Sequence, residues 1–322
     1  MPRDDGFEGL VGHRCGADFE VDPTLEPRLA RITARPTGNQ FHESIFTRDV
    51  GSLLPYDRGA EPGFVAELET VDSNATELII DSLPTYYPAR TLHEGVREFS
   101  NECAERLIYG PVALEIEHFS DRDGRAAREF AIHYLPFGTV SYRRHRPIQL
   151  VPRSLSEKRH KGNHYLELDP STLVIVDLKP DVRTLMDQAI RIFRLADRQQ
   201  FLAVDVLTDR QNSHRGFDAE EHRRRLQVIL LRETRSLGWA ESLDGVALDP
   251  YKVWRHLQFV KLQVGIRESI LSGLQEVISK AGARGDFDAR LRVTGLVDLD
   301  DVIAAQNSLL AGTAPIKSLL RL

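Results

Sequence analysis

The chain has 322 residues, with 42 Lys plus Arg against 48 Asp plus Glu, for a formal net charge of -6. That balance argues against a dedicated nucleic-acid coat, and at roughly 100–200 residues per domain the length allows one large or two ordinary domains. Two cysteines, Cys15 and Cys103, cannot staple a chain of this size or build a Cys-based zinc site, so a reducing compartment is expected. Met1–Leu10 carries Asp4, Asp5 and Glu8 without an apolar run and does not read as a signal peptide. No stretch approaches the roughly 18 apolar residues a membrane helix needs, so a soluble, intracellular product is expected.

In chain order, residues 1–60 are rich in Gly, Pro, Asp and Arg with apolar residues scattered singly, which predicts an extended N-terminal arm that a neighbour must order. Residues 61–180 read as an α+β domain. Thr91 and Glu94 form a capping box ahead of Leu92, Val96, Phe99, Cys103 and Leu107 on one helical face, with Gly110 at the C-terminal cap. Val112, Leu114 and Ile116 then alternate with polar residues, Asp121–Gly124 supplies a turn, and Phe130, Ile132 and Tyr134 alternate again, which predicts a β-hairpin. Further strands are expected at Ile148–Val151, Tyr165–Leu168 and Leu173–Leu178, the last with the near-continuous apolar run of a buried strand. The middle third is therefore expected to be a small mixed or antiparallel sheet.

From Pro180 the apolar period changes from 2 to about 3.6. Asp181 is placed to cap a helix carrying Leu185, Ala189, Ile192 and Ala196, and Asp218 with Glu221 makes a second capping box before Leu226, Ile229 and Leu230; these helices fill residues 181–240. In residues 241–322, Asp249 and Pro250 open a long helix to Lys280, ended by Gly282. Its row Val253, Leu257, Val260, Val264, Leu271, Leu274 and Ile278 is interrupted by Arg267. A second row, Phe259, Leu262, Ile266 and Ile270, predicts cover on more than one side. A last helix spans about Asp298–Ala311, with Gly312 behind it. The fold class is α+β: a small sheet with a hairpin, then a mainly helical C-terminal half with one long helix.

No Walker A loop, no Gly-x-Ser-x-Gly elbow and no His-Glu-x-x-His helix is present. The nearest enzymatic pattern is Asp169, Asp177 and Lys179 around an apolar strand. A metal-dependent nuclease needs carboxylates to hold a divalent cation and a lysine to orient the attacking water; a polar strand end before Pro180 is the plainer explanation. Glu115, Glu117 and His133 share one hairpin face if the register sets Glu115 opposite His133, a donor set that suits zinc or iron. A solvated cross-strand charge pair is the plainer reading there too. His160 and His164 flank Gly162 and Asn163, which argue against a helical pair of ligands. No cofactor or metal is expected.

The charge is segregated. Between Arg143 and Lys161 stand Arg143, Arg144, Arg146, Arg153, Lys158, Arg159 and Lys161 against one acid, Glu157. Such a patch attracts nucleic acid or an acidic face of a neighbouring subunit. A second cluster, His222–Arg225, opens a helix, where positive charge opposes the dipole, to be offset by an acidic partner or by solvent screening.

A capped helix ending in Leu107, Ile108, Tyr109 and Gly110 runs into Val112–Glu117, an acidic turn with Gly124, and a strand into Leu135 and Pro136. Ile148–Pro152 and the strand Asp169–Leu178 follow and lead into helices; Gly295, Leu296 and Asp301–Gly312 come after the long helix. This order resembles the core and C-terminal region of tailed-phage portal proteins over residues 60–312. The resemblance implies a compact, non-enzymatic structural protein whose copies, about a dozen, form a ring. The ring would conduct double-stranded DNA into and out of a viral capsid. Capsid, terminase and head-tail connector proteins would be partners, with no membrane, and the virion, assembled in the host cytoplasm, its location. Under it Asp181–Ala203 and Asp218–Ser236 are stem helices and Thr208–Phe217 is the clip. Arg191, Arg194 and Arg198, spaced by 3 and 4, share a face that lines the channel or meets a neighbour, and Arg143, Arg144, Arg146, Lys158, Arg159 and Lys161 offer further DNA or subunit contacts. The alternative is a metal-dependent nuclease or nuclease-like defence protein built on Asp169, Asp177 and Lys179; a third is a nucleic-acid-binding scaffold.

Overall fold

The computed structural model describes residues 41–55, 63–85, 89–120, 126–135, 138–150, 165–208 and 250–319, with Arg224, Val228, Arg232, Thr234, Leu237, Gly238 and Trp239. In chain order the elements are α1 (Phe41–Gly51), β1 (Val65–Thr70), α2 (Ala75–Ser82), α3 (Leu92–Leu107), β2 (Val112–Ser120), β3 (Ala126–Tyr134), β4 (Val140–Arg143), β5 (Arg146–Leu150), β6 (Tyr165–Glu167) and β7 (Leu173–Val176). There follow α4 (Pro180–Thr208), α5 (Pro250–Gly285), β8 (Ala289–Thr294), α6 (Leu299–Ala311) and the single turn α7 (Ile316–Leu319). The fold is α+β. The residues divide into two units.

Unit 1 takes Leu54–Asp177 and Glu268–Gly295. Helix α3 starts where its cap predicts: Thr91 Oγ1 accepts the Glu94 N–H at 3.2 Å, and the Glu94 carboxylate returns to the N–H of Arg90 at 3.0 Å. The predicted face Leu92, Val96, Phe99, Cys103 and Leu107 is buried. The helix closes at Ile108 in ordinary right-handed backbone, and Gly110 has no left-handed φ, so the expected glycine cap is not used. Strands β2 and β3 form the predicted hairpin, burying Leu114, Ile116, Phe130 and Ile132, with β7 on the other side of β2. The strands of the middle third divide between two antiparallel sheets, β3-β2-β7 and β4-β5-β6, and a third sheet pairs β1 with the distant β8. Local alternation marks strands but leaves their partners open, because pairing is decided by contacts remote in sequence.

The second half of α5 covers this unit with Ile270, Leu274, Val277 and Ile278. Gly273 lets β7 approach: a Cβ there would lie 2.5 Å from a Val176 methyl. Gly282, expected to stop the helix, lies inside it. What the missing side chain permits is the return of the chain over the last turn, since the Phe287 N–H donates to the Gly282 carbonyl at 3.2 Å and a Cβ on Gly282 would meet Phe287 O at 2.3 Å.

Unit 2 takes residues 41–53, Leu178–Arg267 and Leu296–Leu322. Its core corrects the reading of residues 1–60 as an arm throughout: α1 buries Phe46 and Val50 completely. Residues 1–40 lie outside the described residues. Phe46 packs on Phe193 of α4 at 4.7 Å between ring centroids, and Phe193 meets Trp239 edge-on at 4.6 Å; such pairs add roughly 0.5–1.5 kcal/mol each beyond area burial. Helix α4 begins two residues earlier than a cap at Asp181 would place it. Pro180 is its first residue, the Lys179 carbonyl accepts the Arg183 N–H, and Asp181 sits in the first turn rather than at the cap. Its buried stripe is Val182, Met186, Ala189, Ile190 and Phe193, rotated from the expected Leu185 and Ile192. Both rows have helical spacing and share Ala189; the aromatic cluster around Phe193 selects between them.

The first half of α5 packs Val253 and Leu257 against Ala305 and Leu319, and Val260 and Val264 against Val302. Arg267, which breaks the apolar row, is buried and donates to the Val297 carbonyl. Helix α6 has about the predicted extent, closed by Gly312 at φ 66 as expected, and a capping box of Asp298 with Asp301 opens it. Asp218, Glu221, Leu226, Ile229, Leu230 and the clip candidate 209–217 lie outside the described residues. No helix among the described residues is long and apolar enough to cross a membrane.

Candidate functional site

The basic stretch forms a hairpin tip. Arg143 ends β4 opposite Arg146, which begins β5, so Arg144 and His145 make a two-residue turn, at φ 48 and 67. A two-residue connection with positive φ at both positions is the type I′ form, which matches the right-handed twist of the strands and for which Asn-Gly is the usual occupant. For side-chain-bearing residues this backbone costs roughly 1–2 kcal/mol each. Strain of this kind, carried by an arginine and a histidine at an exposed tip, points to a role outside folding.

The root of the tip is fixed while its end is not. The Arg143 guanidinium lies over the Tyr165 ring, 4.7 Å from the centroid, and donates to the phenol oxygen. Arg146 stands 3.7 Å from Glu167, an exposed pair worth little in water. Arg144 and His145 are exposed and have no partner among the described residues. A guanidinium so presented suits bidentate recognition of a phosphate or carboxylate. Arg153, Lys158, Arg159 and Lys161, with His160 and His164, lie outside the described residues.

The α4 arginines do not act as one face. Arg191 is exposed, but Arg194 turns inward and holds Glu43 with both arms of its guanidinium, at 3.1 and 3.3 Å. The Glu43 side chain is 1% exposed, so Arg194 is an internal counterion within unit 2, which corrects its expected place on the channel face. Nothing in the apolar pattern betrays this, because the first member of the buried α1 stripe Glu43, Phe46, Val50 is a carboxylate. The Arg198 side chain is outside the described residues.

Asp169 and Asp177 lie beyond opposite ends of β7. Four extended residues separate those ends by roughly 13 Å, too far for two carboxylates to share one cation. Asp169 instead accepts the Ser171 N–H at 2.9 Å and hydroxyl at 2.8 Å, and pairs with Arg284 at 2.8 Å. These hydrogen bonds, with the Arg284 charge behind them, hold its carboxyl below the usual range. Arg284 and Lys280, four residues apart on α5, are what the sequence reading missed: Lys280 donates to the carbonyls of Pro170 and Leu173, so together they clamp the turn before β7. Lys179 falls in unit 2.

The hairpin register sets Glu115 opposite His133, which meets the condition for a shared face, and His133 Nε2 lies 3.0 Å from Glu117 Oε2. Burial pushes the Glu115 carboxyl up. Among the described residues no three His, Cys, Asp or Glu side chains converge to hold a metal ion, and the His133–Glu117 contact is a cross-strand polar pair. Compared with known protein families, curated proteins and solved structures, the chain matches none of them.

Proposed function

We propose that this chain is a portal-like structural protein whose copies form a ring that conducts double-stranded DNA into and out of a viral capsid, with capsid, terminase and connector proteins as its partners. The observation that carries the reading is the succession of elements. A capped helix enters a β-hairpin, a second hairpin carries a strained cationic tip, and β7 passes within four residues into the 29-residue α4, with the 36-residue α5 beyond. A ring subunit that lets DNA slide should avoid neutralising many phosphates at once, because tightly held phosphates would stop the movement. A net acidic chain with one local cluster of arginines, Arg143, Arg144 and Arg146, at a hairpin tip is in keeping with that requirement.

The test is assembly. Purified full-length protein is expected to form rings of about a dozen copies in negative-stain micrographs and a matching mass in mass photometry. A strictly monomeric species at micromolar concentration overturns the reading.

A further inference from the structure

The β1–β8 ribbon of unit 1 has one edge closed and one open. In its antiparallel register Glu67 faces Arg292, Leu68 faces Leu291 and Glu69 faces Arg290. On β8 the Gln275 carboxamide of α5 accepts the Leu291 N–H at 2.7 Å and donates to the Ala289 carbonyl at 3.4 Å, in the place of a third strand's peptide unit. Because Ala289 and Leu291 turn these groups toward Gln275, the bonds between β1 and β8 run through the alternate pairs, among them Glu67 with Arg292. The N–H and C=O groups of Ala66 and Leu68 then point away from β8, and no described residue bonds them. Exposed and partly exposed positions alternate along the whole of β1, so a further strand can reach this edge.

The side chains along the edge select what it accepts. Val65, Glu67 and Glu69 are exposed, and the same alternation in sequence continues to Val71, which is fully exposed. Two carboxylates thus stand between two uncovered valines. Glu69 has an exposed partner in Arg292 at 3.4 Å, whereas Glu67 has no ion pair among the described residues. A second copy of β1 laid antiparallel would bring glutamates against glutamates, which is destabilising. The strand that β1 already holds shows the complement: β8 sets Arg292 and Arg290 opposite Glu67 and Glu69, with Ala289, Leu291 and Val293 at the positions between.

We propose that the open edge of β1 is a docking site for an extended segment of another polypeptide, added antiparallel and carrying arginines at the two positions opposite Glu67 and Glu69. Ala66 and Leu68 supply the backbone hydrogen bonds. Glu67 and Glu69 therefore fall in the non-hydrogen-bonded pairs, where cross-strand side chains approach most closely. A guanidinium binds a carboxylate through two parallel hydrogen bonds, which fixes the register as well as adding strength. Aliphatic residues two positions outside the arginines meet Val65 and Val71. The site does not depend on ring assembly.

The probe is the fluorescein-labelled peptide Val-Thr-Arg-Val-Arg-Thr-Val, whose arginines fall opposite Glu69 and Glu67 and whose central valine falls opposite Leu68. Anisotropy titration of the full-length protein is expected to show binding at least about tenfold tighter than that of the counterpart with glutamate at both arginine positions. N-methylation of the central valine should weaken binding at least about tenfold, because that N–H donates to β1. E67Q/E69Q should erase the preference for arginine and keep the sensitivity to N-methylation, which separates the charge from the backbone. Hydrogen exchange of residues 64–71 should slow when the arginine peptide is added, with the β2–β3 hairpin unchanged. No saturable binding up to about 1 mM peptide, or equal binding of the glutamate or the N-methylated peptide to the wild type, overturns the proposal. So does a dimer of this chain in which 64–71 is protected and which the arginine peptide does not dissociate, since the edge would then belong to a second copy.

Discussion

Replacing the hairpin turn with the pair that its backbone prefers, R144N/H145G, separates what the tip does for folding from what it does for a partner. Arg144 and His145 hold φ 48 and 67, a conformation that costs roughly 1–2 kcal/mol per side-chain-bearing residue. Asn tolerates it and Gly adopts it freely, while Gly also raises the entropy of the unfolded chain by roughly 0.5–1 kcal/mol. The net expectation is a gain of about 1 kcal/mol, or about 2–4 °C in Tm for a domain of 150–250 residues. Binding should move the other way. Each lost phosphate contact lowers the slope of log affinity against log salt by about 0.9, so a fluorescent duplex titrated between 50 and 200 mM salt, values at which that slope is pronounced, should bind more weakly and with a flatter slope. A fall in Tm would refute the strain argument. Unchanged DNA binding together with unchanged assembly would refute the view that the cations are kept for a partner.

R194M leaves the Glu43 carboxylate buried without its counterion, and should destabilise unit 2 by about 3 kcal/mol, the low end for a broken buried pair because Arg194 is 22% exposed; E43L/R194M should recover most of it. Urea unfolding followed by tryptophan fluorescence checks this, since Trp239 packs edge-on in the same core, and a cost below about 1 kcal/mol would sink the argument. Burial, with the Arg284 charge adding to it, holds the His118 imidazole below its ordinary value. The unfolded chain therefore takes up a proton near pH 6.5 that the folded chain resists. Its contribution is present above that pH and is lost as pH falls through it toward the folded value, so H118Q should flatten the decline of the urea midpoint below pH 6.5. Burial pushes the Cys103 thiol up to about 12; iodoacetamide should label Cys103 only after unfolding, as peptide mass spectrometry would report.

What the sequence could disclose was what neighbours in the chain decide. The Thr91 cap, the Gly312 terminus and the β2–β3 hairpin all depend on residues within about a turn or a hairpin of one another, and all are found. The α1 helix escaped because a buried ion pair replaces an apolar residue in its stripe. The face of α4 was misjudged by one position because two rows were equally periodic and only remote rings chose between them. Gly282 looked like a stop because a glycine that ends a helix and one that lets a chain pass close over it leave the same letter. At the candidate site the excess of arginine was legible, but Arg-His is no turn signature, so the strained tip was not.

The pairing of β1 with β8 also sets a clock. Val65 and Thr294 are partners across most of the chain, and at roughly 5–20 residues per second a ribosome releases β8 some 10–45 s after β1. During that interval β1 is synthesised without its partner, and the chain must survive a period in which both its edges can capture other nascent strands. Glu67 and Glu69 then act as gatekeepers during translation, repelling copies of the same strand on a polysome until an arginine-bearing partner arrives. Neutralising them should lower the yield of soluble protein more than it lowers the stability of the molecules that finish folding.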